Sequence, residues 1–140
     1  MTTLEAVSIE RILSPGEPIT GRQAEDLSAQ EIARVMVAIQ RMRRDKIEEI
    51  KDLAVQVAAA VKIATIVRAE EFLNTEGPQQ QRDQASRLAA AGLVYASEAL
   101  KAELDAAKES LRLLKDDWDT CRSIGATQRA EKNAIEGYGS

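Results

Sequence analysis

The sequence predicts an all-α protein. It reads as a long antiparallel helical hairpin with a short irregular or helical N-terminal segment, the hairpins pairing as dimers into a four-helix bundle. Three observations carry this. The tract from Ser28 to Asn74 contains no proline and no glycine. Apolar residues recur mostly at steps of three and four along two long tracts, the spacing of one helical face. Only Phe72, Tyr95, Trp118 and Tyr138 are aromatic, so a core must be built from Ala, Val, Ile and Leu, and Ala-rich tracts favour helix. A chain of 140 residues, 44% hydrophobic and 30% charged, has the length of one domain and too many apolar groups for simple disorder.

Residues 1–27 are the irregular part. Pro15, Gly16, Pro18 and Gly21 fall within seven positions and stop any regular element, and Leu4 to Leu13 before them reads as a short helix or strand, helix being the favoured reading. Residues 28–140 are expected to form one domain. Ser28 and Glu31 in "SAQE" match a capping box, in which each residue's side chain satisfies the other's backbone N–H. The first stripe runs Ile32, Val35, Met36, Ile39, Met42, Ile47, Ile50, Leu53, Val57, Val61, Ala64, Val67, with one step of five across "RRDK". Unbroken, this helix measures roughly 65–70 Å at 1.5 Å per residue; a kink near Met42–Lys46 is the alternative.

"NTEGPQQQ" reverses the chain, because Asn74 and Gly77 suit a helix end and Pro78 resists continuation. The second helix is expected from about Gln79 to Cys121. Its predicted seam is Ala85, Ala89, Gly92, Ala96, Ala99, Glu103, Ala107, Leu111, Leu114, Trp118 and Cys121, small as far as Ala107 and bulky beyond. Antiparallel pairing sets Trp118 against the Val35–Met36–Ile39 region, so Trp118 and Cys121 read as core residues. Gly125 either ends this helix near Ser123 or admits another backbone closely.

Nineteen basic and twenty-three acidic residues leave a net charge of −4, which does not steer the chain toward nucleic acid. The basic cluster "RMRRDK" with Arg41, Arg43, Arg44 and Lys46 is the candidate nucleic-acid contact, although no stacking ring lies near it and charge alternation is the mark of a solvated face. Arg122, Ser123, Arg129 and Lys132 are the candidate contacts for a protein partner or a small anion. No phosphate loop, nucleophile elbow or metal motif occurs, and the chain has no histidine, so no catalytic residue, metal or cofactor is expected. One cysteine cannot form an internal disulfide, which suits a reducing compartment, and no signal peptide or membrane span is expected.

The stretch "LAVQVAAAVKIATIV" is apolar on more than one side. A hairpin covers one stripe of it. Ala54, Val55, Ala58, Ile63 and Ile66 are therefore the expected self-association residues.

"RAEEFLNTEGPQQQRDQAS" and "LRLLKDDWDTCRSIGATQRAE" resemble parts of small helical-hairpin proteins encoded by bacteriophages, with Arg122, Ser123, Arg129 and Glu131 matching their Arg-Ser, Arg and Glu near the end of the second helix. The resemblance covers about residues 68–132. It implies an accessory protein without assigned activity, in the bacterial cytoplasm or the virion, and carries over no catalytic residue.

Overall fold

The structure is a computed structural model and describes residues 27–138. The expected helix at Leu4–Leu13 and the Pro/Gly cluster lie outside the described residues. Helix α1 spans Ala29–Asn74 and α2 spans Gln79–Tyr138, 46 and 60 residues long. Residues 75–78 join them, and no strand occurs among the described residues. The fold is the predicted helical hairpin. Helix α1 runs through Met42–Lys46 without interruption. Helix α2 passes Ser123 and Gly125, correcting the expected end near Cys121. No other described backbone of this chain comes close to Gly125: a Cβ there would meet only the Arg129 guanidinium, at 3.6 Å.

The chain forms two compact units. Unit 1 comprises the described residues 27–47 and 109–138. The predicted capping box opens its first helix: Glu31 N–H donates to Ser28 Oγ at 3.2 Å and Ser28 N–H to Glu31 Oε1 at 3.4 Å. Leu27, Ile32, Val35, Ile39, Leu114 and Cys121 form the core, with Met36, Met42, Trp118 and Ile124 packed on it. Trp118 thus meets the side chains its position predicted. Gln128 Nε2 donates to the Leu27 carbonyl at 3.0 Å and ties α2 to the residue before the cap.

Unit 2 is Glu48–Lys108. Its turn works as the sequence implies, since Gly77 has φ +119°, and a Cβ there would sit 2.8 Å from Gln81 Oε1. Helix α1 has no basic residue in its last turn. Arg82 of α2 supplies that charge instead: its Nε donates to the Phe72 carbonyl at 3.0 Å and its guanidinium lies 4.4 Å from the Phe72 ring centroid. The buried apolar residues of unit 2 are Leu53, Ala64, Ala90 and Ala107. Ser86 and Ser97 are also buried, and each hydroxyl donates to a carbonyl of its own helix, Asp83 and Val94, at 2.8 and 2.7 Å.

The seam of α2 differs from the predicted one in unit 2. Ala89, Gly92, Ala96, Ala99 and Glu103 are exposed, whereas Ser86, Ala90, Leu93, Ser97, Leu100 and Leu104 are buried or half-buried. Alanine is a strong helix former that loses little on either side of a helix, so counting it as apolar drew the stripe one position early. The leucines decide the true face. On α1 the step of five disappears because half-buried Lys46, rather than exposed Ile47, continues the face, and half-buried Ala60 replaces Val61.

Candidate functional site

The expected self-association residues lie on unit 2, and all five are exposed: Ala54, Ala58, Val55 at 70%, Ile63 at 52% and Ile66 at 44%. At 100° per residue, Val55 and Ile66 occupy the back of α1, Ala54 and Ala58 one shoulder and Ile63 the other. The same unit exposes Val61, Leu73, Leu88, Val94 and Tyr95. Among the described residues, eight of the eleven exposed large apolar side chains therefore belong to unit 2. Such a concentration is the usual mark of an interface.

Beside the turn, Arg68 Nη2 lies 3.4 Å from Asp83 Oδ1, and Arg87 Nη2 lies 3.1 Å from Asp83 Oδ2. A shallow groove of about 480 Å³ opens there, lined by Thr65, Arg68, Ala69, Phe72, Leu73, Asp83 and Ser86. The pairing of Arg68 with Asp83 leaves this groove apolar with a neutralised rim. None of Arg68, Arg82 and Asp83 was singled out in the sequence, where nothing marks them beyond their closeness to Pro78.

In unit 1, the continuation of α2 sets Arg122, Arg129 and Lys132 on one exposed side, at steps of seven and three. Ser123 is exposed beside them, and its carbonyl accepts from Thr127 Oγ1 at 3.1 Å. Lys132 Nζ stands 3.9 Å from Glu136 Oε1 with both side chains largely in solvent, a weak pair. This side carries a net positive charge on a rigid helix.

The Arg41–Lys46 cluster is split. Arg41 and Arg44 are exposed, while Arg43 and Lys46 are half-buried, with Arg43 Nε fully buried and no hydrogen-bond partner found for it. Glu48, one turn beyond Arg44, pairs with Lys51 at 3.1 Å. The four cations do not form the single surface that a phosphate backbone would follow.

Cys121 is fully buried, and its thiol is pushed from an ordinary 9.0 up to about 11 by burial and, secondarily, by the neighbouring Asp117 charge. A thiol held in its neutral form is a poor nucleophile and a poor metal ligand. Among the described residues no group of acidic, cysteine or histidine side chains is arranged to hold a metal ion, and no helix is long and apolar enough to cross a membrane.

What the geometry offers is surface: a bare apolar flank on unit 2 and a basic side on unit 1. No known protein family, curated protein or solved structure matches the chain.

Proposed function

We propose that this is a non-enzymatic assembly protein that acts by self-association through unit 2 and presents the Arg122–Lys132 side to a protein partner. The supporting observation is the uneven distribution of apolar surface, with eight of the eleven exposed large apolar side chains among the described residues in Glu48–Lys108. Water contact along such a flank costs about 25 cal/mol per Å², and a second hairpin laid against it removes that cost without any new element. The four-helix bundle is the simplest closed arrangement. The accessory, phage-encoded setting rests on the sequence resemblance alone.

The test is molar mass by light scattering over a concentration series. Dimer or larger is expected at tens of micromolar, with Ile66→Glu lowering the mass while far-UV helicity persists. A wild-type chain that remains monomeric throughout refutes the assignment. Nucleic-acid binding is the competing reading. It requires salt-dependent retention on DNA that disappears when Arg41 and Arg44 are neutralised.

A further inference from the structure

The back of α2 carries a second heptad stripe, separate from the seam. Leu88, Gly92, Tyr95, Ala99, Ala102 and Ala106 follow steps of 4, 3, 4, 3 and 4, and all six are exposed, Leu88 at 80% and Tyr95 at 78%. No charged residue interrupts it. The corresponding back stripe of α1, from Val55 to Leu73, is interrupted at its middle by Lys62. Glycine within a helix costs about 1 kcal/mol relative to alanine. Nothing in the chain requires that cost at Gly92, because a Cβ there would meet no atom within 4 Å. A missing side chain on an open surface is useful where another backbone comes close.

We infer that the occupant of this stripe is the same stripe of a second copy, packed antiparallel about a two-fold axis at the level of residue 97. This rests on the self-association reading and adds to the α1 flank a second contact, since the back of α2 faces away from α1. The spacing is symmetric about that level, so the axis sets Leu88 against Ala106, Gly92 against Ala102 and Tyr95 against Ala99. Each bulky residue meets a small one, the alternation that lets facing layers interlock. A parallel pair stacks Tyr95 on Tyr95 and Gly92 on Gly92, overfilled at one layer and hollow at the next. The antiparallel axis also brings Arg87 within one turn of Asp105 of the second copy, two symmetry-related opposite-charge contacts on the rim that carries Glu98. Glu98, which lies nearest its own counterpart, already has Lys101 at 3.4 Å as a neutralising neighbour. The two copies of Tyr95 remove on the order of 300 Å² from water. The remaining positions along about 27 Å of helix bring the contact near the roughly 1,000 Å² of a specific interface.

The test is oxidative cross-linking of the full chain carrying Gly92→Cys and Ala102→Cys together, compared with each substitution alone and with wild type, whose Cys121 is buried. The two positions lie about 15 Å apart on one helix, too far for a disulfide within a chain. The expected result is covalent dimer from the double variant and none from either single variant. Cross-linking of the single variants, or none at all in a chain that light scattering shows to be dimeric, overturns this axis and leaves self-association standing. A strictly monomeric chain overturns both.

Discussion

Unit 1 buries Leu27, Ile32, Val35, Ile39 and Leu114 around Cys121, and Trp118 with two methionines closes the gaps. Unit 2 holds more of the described residues, yet Leu53 is its one large buried apolar side chain among them, accompanied by three alanines and two serines. The exposed surfaces invert this order: among the described residues, unit 1 leaves Val37, Ile47 and Ile135 in solvent, whereas unit 2 leaves eight large apolar groups there. Similar helices thus solve burial in different ways. Unit 1 spends its bulky residues on itself. Unit 2 packs small residues inside and, among the described residues, leaves the bulky ones exposed. The difference teaches that helix content alone says little about where a hairpin's stability resides.

Ile39→Ala is the severest way to test that contrast. It opens a cavity at a site with no solvent exposure and is expected to cost about 2–5 kcal/mol, read from the urea midpoint. A cost below about 1 kcal/mol would break the comparison. The thiol supplies the next largest effect. Because folding raises the Cys121 pKa from 9.0 to about 11, the folded state holds the proton more tightly; its contribution is intact below pH 9 and is lost as pH rises through 11. Wild type should lose roughly 2–3 kcal/mol more than Cys121→Ala over that window. Equal pH profiles would mean that Cys121 is solvated.

Ser28→Ala is expected to cost about 1 kcal/mol, because it removes one half of the reciprocal cap that starts α1. The smallest effect belongs to unit 2. Leu88→Ala, at a residue 80% exposed, should change the stability of the dilute monomer by no more than about 0.5 kcal/mol. It should nevertheless weaken self-association, and a loss of monomer stability comparable to that of Ile39→Ala would show that unit 2 keeps its bulky residues for its own core.

Much of the fold was legible because its signals are local. The capping box needs only Ser28 and Glu31, the turn only Asn74, Gly77 and Pro78, and the face of α1 is written in Ile and Val. The seam of α2 was legible from Ala107 onward, where Leu111, Leu114 and Trp118 leave no choice. Before it, alanines on several sides blurred the stripe, and Glu103 within the predicted seam was the sign of a wrong register. The exposure of Ala54, Val55, Ala58, Ile63 and Ile66 followed from a count of sides. The back stripe of α2 is hidden in the sequence because Gly92 and Ala99 also fit the predicted seam. The Arg82–Phe72 contact spans ten positions across a turn, and no periodicity reveals such a pair. The splitting of Arg41–Lys46 depends on which helical side is covered, a tertiary property that a run of charges does not encode.

The sole tryptophan and the sole cysteine both belong to unit 1, so the molecule carries its optical and its chemical reporter in the same half. Indole fluorescence and the rate of thiol labelling follow the opening of unit 1 alone, while far-UV dichroism averages over every helical residue. Divergence between the fluorescence and dichroism melting curves would show unit 2 loosening on its own, with no probe introduced by mutation.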